Sequence, residues 1–188
     1  YPAEIAVVLS NRSAAGGLER ARWAGIPAEF LGARAFGDDR AAYDAALADR
    51  LDAHGVTWVA LAGFLRLVGP ALLERFPWRI LNVHPALLPS FPGLHAQEQA
   101  LAAGVRIAGA TVHLVDGGCD TGPIVLQGAV PVLPEDDAPA LSARILTVEH
   151  QIYPTALRWA VEGRIRVEGS LARLALPDDE RPFVLGAR

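Results

Sequence analysis

The sequence predicts an α/β fold in which a mostly parallel central sheet is covered by helices on both faces. Short apolar, β-branched segments alternate with helical ones from the start of the chain to about residue 153. Val56 to Leu61 is a near-continuous apolar run, the pattern of a strand buried on both faces. No internal repeat, low-complexity tract or linker divides the 188 residues, so residues 1–188 read as a single domain. The expected architecture is a Rossmann-like three-layer α/β/α sandwich, whose sites lie at the carboxyl ends of the strands.

Glu4 to Leu9 reads as the first strand, ended by the turn-prone Ser10-Asn11. A helix follows from about Gly17 to Trp23, and a second strand covers about Pro27 to Leu31. Asp38-Asp39 are good helix-capping residues, opening an alanine-rich helix that reaches about His54. The apolar run at 56–61 exits at Gly63, and a short helix covers about Pro70 to Arg75. Ile80 to Val83 is the next strand, stopped by Pro85 and the loop 88–93, before a helix over about Ala96 to Ala103. Two further strands, Gly109 to Val115 and Pro123 to Val130, flank a glycine-rich loop at 116–122. Pro134-Glu135-Asp136-Asp137 places negative charge at the start of a helix expected to reach about Tyr153. The tail, about 170–188, reads as one or two weak strands and then exposed coil.

Composition excludes several function classes. The formal charge of −4 is modest and both signs are mixed along the chain, so no basic face suits nucleic acid or anionic lipid. Small-molecule partners fit better. All 17 basic residues are arginine, which removes any chemistry needing a Schiff-base or phosphate-loop lysine. Cys119 is the only cysteine, in keeping with a reducing compartment, and the chain reads as cytoplasmic. It has no methionine and begins at Tyr1, so a segment upstream of Tyr1 is expected.

Asn82 and His84 are two apart at the end of an apolar strand, so both side chains leave one face of the pleat and point into the same volume. Acyl transfer to an amine needs a donor for the oxyanion and a group to manage the amine's proton, tasks within reach of an asparagine amide and a histidine. Taken alone, an Asn-x-His pair is more often a strand end capped by local hydrogen bonds. Asp116 and Asp120, both in the glycine-rich loop, are each able to partner His84 or to serve as turn residues, and spacing does not choose between them. Glu149 lies on or beside the apolar stripe of its helix, where a carboxylate needs a partner. His113 is read as a satisfied core residue ahead of a site residue, and His95 as a support behind the site. None of the histidines and acids has zinc-ligand spacing, and no metal is expected.

Leu81-Asn82-Val83-His84-Pro85 through Pro89, with Phe91-Pro92-Gly93-Leu94-His95, resembles the signature loop of folate-dependent formyltransferases. Gly109 to His113 with Asp120 to Gln127 is similar to that family's second signature, and Glu149-His150-Gln151-Ile152-Tyr153-Pro154 to its third. The likeness runs from Ser10 to about Gly163, and the Pro-Gly-Leu-His ending points to the branch that formylates glycinamide ribonucleotide. The resemblance implies that Asn82 and His84 are catalytic and that Asp120 keeps His84 protonated. It implies a donor site at Ala62 to Val68, with Leu65, Arg66, Leu67, Val68 and Asn82 around the carrier and Arg40 as a second contacting arginine. It also implies that Glu149 binds the ribose of the amine substrate.

The reaction so implied is direct transfer of formyl from 10-formyltetrahydrofolate to glycinamide ribonucleotide, a step of purine synthesis, with water at Asp120 relaying the proton. No covalent formyl-enzyme is expected, since lysine is lacking and Cys119 is expected to be buried. A formyltetrahydrofolate hydrolase, a methionyl-tRNA formyltransferase and an inactive folate-binding module are the alternatives. One departure stands out: the family's opening strand, glycine-rich phosphate loop and helix have no counterpart after Tyr1, and Gly16-Gly17 follows a later strand. Truncation or omission of that segment is expected rather than its natural loss.

Overall fold

The computed structural model describes residues 1–185. β1 (Val8–Ser10) pairs in parallel with β2 (Ala28–Phe30) across α1 (Gly16–Trp23), forming a two-stranded sheet of its own. β1 starts later than the apolar pattern suggested, because β2 offers partners only to Val8, Leu9 and Ser10, and residues 1–5 are exposed. A 3-10 turn (Ala33–Phe36) leads to α2 (Arg40–Ala53), whose Asp39 cap accepts a hydrogen bond from the Ala42 N–H at 2.9 Å.

The central sheet has five strands in the order β3 (Val59–Leu61), β4 (Ile80–His84), β5 (Ile107–Leu114), β6 (Ile124–Pro131) and β9 (Phe183–Leu185). β3–β4 and β6–β9 are parallel pairs, and β5 runs antiparallel to both its neighbours. α3 (Pro70–Arg75) lies between β3 and β4 in sequence, and α4 (Ala96–Ala102) between β4 and β5. β3 is shorter than expected and only partly buried, with Ala60 exposed. It is the edge of this sheet, hydrogen-bonded to β4 alone among the described strands.

α5 (Ala138–Val161) is capped by Asp137, which accepts from the Ala140 N–H at 2.8 Å, and it packs on β5 and β6. It passes the expected end at Tyr153 and continues beyond Pro154 to Val161. Proline removes one helical N–H, a defect outweighed here by an apolar stripe that continues beyond it. Leu141, Ile145, Val148, Ile152, Ala156 and Trp159 are all buried at helical spacing against Val112, Leu126 and Val130. A second core gathers Tyr43, Leu47 and Leu51 of α2 with Leu72, Phe76 and Ile80.

Among the described residues, the segment after α5 contains three short strands, two of them within the expected tail. β7 (Ile165–Glu168) and β8 (Leu171–Leu174) form an antiparallel hairpin turning at Gly169, where φ is +62°. Glu180 then accepts from Arg158 and Arg164, each at 3.1 Å, and from the Trp159 indole N–H. This clasp delivers the chain to β9 on the sheet edge. Residues 186–188 of the expected tail lie outside the described residues.

Candidate active site

Strand alternation assembles the site. Asn82 stands opposite His113 in the β4–β5 register and His84 opposite Thr111, so all four side chains share one face of the sheet. Three of them are deeply buried, with His84 5 %, His113 2 % and Thr111 0 % exposed. Buried polar groups need partners, and each of these has them.

His113 donates through Nδ1–H to the Leu114 carbonyl at 2.9 Å, which leaves Nε2 as an acceptor. The Asn82 amide Nδ2 lies 3.2 Å from that nitrogen. Burial pushes the His113 pKa down, opposed by the Leu114 carbonyl and Asp120, so the neutral, accepting ring is favoured. His113, expected mainly as a core histidine, therefore also fixes which way the Asn82 amide faces.

His84 donates through Nε2–H to the Phe91 carbonyl at 2.8 Å, while its Nδ1 faces Asp120 Oδ2 at 3.4 Å. Phe91 has a left-handed backbone, φ +56°, in the loop that follows Pro85. Thr111 holds that loop from beneath, donating to the Ala86 carbonyl at 2.7 Å and accepting from the Leu88 N–H at 3.0 Å. Gln127 adds amide donation to Thr111 Oγ1 and to the Leu88 carbonyl, each at 3.0 Å. Sequence reasoning missed Gln127. Its signals were its place at the end of the second signature and an amide in an otherwise apolar strand, Val125-Leu126-Gln127-Gly128.

The two loop aspartates separate cleanly. Asp116 Oδ1 accepts from the Gly118 N–H at 3.0 Å and the Thr121 hydroxyl at 2.7 Å, and so shapes its own loop. Asp120, at φ +55°, turns inward. Its Oδ2 accepts from the Gly93 N–H at 2.8 Å, and Oδ1 lies 3.6 Å from His113 Nε2. It borders a cavity of about 250 Å³ lined also by Leu88, Pro89, Pro92, Thr121 and Gly122. Cys119, expected to be buried, is exposed on the rim of this cavity because the glycine loop turns it outward. Partial burial and the Asp120 carboxylate both push its thiol pKa up, which disfavours a thiolate there.

A second group of residues surrounds the exit of β3. Leu65 and Leu67 are 78 % and 47 % exposed, so this loop presents apolar side chains to solvent. Arg40 donates to the Leu67 carbonyl at 3.1 Å, and the Arg66 guanidinium lies 4.9 Å from the centroid of the Tyr43 ring. Behind them Asp44 is buried, its pKa pushed up by burial and held down by Arg40, Arg66 and the Gly69 N–H. The Val68 side chain belongs to the second core, so only its backbone faces this loop. Glu149, on α5, is half-buried, and burial pushes its pKa up against the opposing charges of His150 and His84. His95 does not support the site: its side chain is 69 % exposed and pairs with Glu98 at 3.1 Å. Among the described residues no cluster of three histidine, cysteine or acidic side chains is arranged to hold a metal. No described helix is long and apolar enough to cross a membrane.

The chain matches the formyl transferase family over residues 1–157. It is 44% identical over 170 residues to the phosphoribosylglycinamide formyltransferase of Escherichia coli (strain K12), covering 90% of this chain and 80% of that protein. It is 45% identical over 161 residues to the trifunctional purine biosynthetic protein adenosine-3 of Drosophila melanogaster, covering 86% of this chain but only 12% of that protein. A crystal structure of glycinamide ribonucleotide transformylase 1 from Symbiobacterium toebii superposes with a TM-score of 0.87 at 55% identity, covering 89% of this chain and 79% of that one.

Proposed function

This chain belongs to the formyl transferase family, and from that premise we propose that Asn82, His84 and Asp120 carry formyl transfer from 10-formyltetrahydrofolate to the amine of glycinamide ribonucleotide in purine biosynthesis. The observation that carries the reading is the convergence of those three residues on one buried face, with Asp120 within 3.4 Å of His84 and the Asn82 amide oriented by His113. The residues at the β3 exit fit the donor. Exposed Leu65 and Leu67 supply apolar walls, the backbone of 62–68 supplies polar groups, and Arg40 and Arg66 supply cations for the carrier's carboxylates. When bound, the donor supplies an electrophilic formyl carbon.

The chain's own groups then have distinct tasks. One Asn82 amide N–H is taken by His113, and the other, with no acceptor among the described residues, can donate to the oxygen on which negative charge develops. His84 is flanked by two acceptors, Phe91 and Asp120, a setting complementary to a ring bearing both protons. At 3.4 Å its Nδ1 contact with Asp120 is long for a charge-assisted bond, which leaves the Nδ1–H able to share itself with an oxyanion lodged on the same side. Asp120, held by the Gly93 N–H, receives through water the proton leaving the amine and returns it to N10 of the carrier as the formyl C–N10 bond breaks, releasing tetrahydrofolate. Glu149, half-desolvated on α5, is placed to accept from sugar hydroxyls of the amine substrate. The site needs neither a metal nor a thiol nucleophile for these steps.

The test is steady-state kinetics with both substrates. Asn82→Ala and His84→Ala should each lower kcat by roughly two powers of ten, as for loss of one oxyanion donor, with the KM for the folate donor little changed. Wild-type turnover in either variant removes that residue from the mechanism.

A further inference from the structure

Tyr153 belongs to the third sequence motif, yet none of the steps above uses it. Its ring packs against the main core, and its hydroxyl lies 2.6 Å from the Leu61 carbonyl and 3.0 Å from the Leu81 carbonyl. Burial pushes its phenol pKa far above the ordinary range, so it is a neutral donor whose single proton faces two acceptors.

The position of those carbonyls matters more than their number. Leu61 ends β3, and the chain passes from it directly into the 62–68 segment. Leu81 immediately precedes Asn82, and Leu61 is the register partner of Asn82 across the β3–β4 pair. Glu149 sits one turn earlier on α5, the helix that carries Tyr153. One hydroxyl thus ties together the three segments assigned to the donor, the oxyanion and the amine substrate. β3 is hydrogen-bonded to β4 alone among the described strands, and the Tyr153 hydroxyl adds a tie from α5 at the residue where it ends.

We propose that Tyr153 is a positioning residue that sets the spacing between the donor-holding segment and Asn82 by clamping the Leu61 and Leu81 carbonyls from α5. The proposal rests on the reading of Asn82 as an oxyanion partner. Oxyanion donors act only within about 2.7–3.1 Å of the developing charge, and a misplacement of about 1 Å costs up to roughly a hundredfold in rate.

Tyr153→Phe keeps the buried ring and removes the clamp. It should lower kcat by about tenfold while leaving the KM for the amine within about twofold. In an Asn82→Ala background the same change should cost less than about twofold, because the group being positioned is gone. Replacing Tyr153 with 3-fluorotyrosine, which keeps the hydroxyl, should restore wild-type kcat. Equal losses in the two backgrounds, an unchanged kcat in Tyr153→Phe, or failure of that variant to fold would overturn the proposal in favour of a purely structural tyrosine. A fully active Asn82→Ala would instead overturn the reading of Asn82, and this proposal with it.

Discussion

Asn82 is oriented by a histidine that is itself pinned, and the pinning has a pH signature. His113 gives its Nδ1 proton to the Leu114 carbonyl and keeps Nε2 free for the Asn82 amide. Burial lowers its folded pKa from the usual 6.5, against the opposing pull of Leu114, Asp120 and Asp116 and in concert with His84. The unfolded chain therefore takes up a proton at a pH where the folded one resists it. The stability contributed by neutral His113 is fully present above about 6.5 and is lost as pH falls towards the folded pKa. The melting temperature should fall between pH 7 and 5, and His113→Gln should flatten that slope relative to wild type. Parallel slopes for the two proteins would contradict the assignment. At this scale the sequence carried the Asn82–His84 pair, because period-two alternation is a local property. It did not carry the choice of Asp120 over Asp116, which depends on a left-handed backbone at Asp120 and on contacts with a loop 27 residues away at Gly93.

Helix α5 is the element on which site and core both depend. It carries Glu149 and Tyr153 while burying Val148, Ile152 and Trp159 against the sheet. It lies so close to β6 that a Cβ on Gly128 would overlap Val148 Cγ1. Gly128→Ala should therefore destabilise the protein by about 1–3 kcal/mol, the usual range for overpacking a filled core, read as a lower urea midpoint with an unchanged m-value. A midpoint equal to wild type would mean that the helix can retreat from the strand without cost. The capping of α2 and α5 by Asp39 and Asp137 was legible because caps are written in adjacent residues. The far end of α5 was not: Pro154 is a local stop signal, and what overrides it is burial of Ala156 and Trp159 against distant strands. The exposure of Ala60 in β3 was hidden for the same reason, since an apolar run does not reveal which strands lie beside it, here β4 alone among the described strands.

At the scale of the whole molecule, the 62–68 segment leaves the carboxyl end of β3 while Asn82 and His84 lie at the carboxyl end of its parallel neighbour β4, with Asp120 reaching them from the loop between β5 and β6. The last residues contribute too, since the Glu180 clasp on Arg158, Trp159 and Arg164 locks the end of α5 beneath the added strand β9. That clasp unites residues separated by 16 to 22 positions, beyond the reach of local pattern, and so the sequence suggested only one or two weak strands and then coil there. The α/β class, by contrast, was legible because it rests on the alternation of elements rather than on any one contact. The central claim is that this assembly transfers formyl to an amine rather than releasing it to water. The most direct test supplies the protein with 10-formyltetrahydrofolate and, in parallel, glycinamide ribonucleotide, water alone or charged methionyl-tRNA, and quantifies formylated products and formate. The account predicts formylated glycinamide ribonucleotide and tetrahydrofolate in equal amounts, with little formate in any arm. Formate as the main product, at a rate indifferent to the amine, would contradict it.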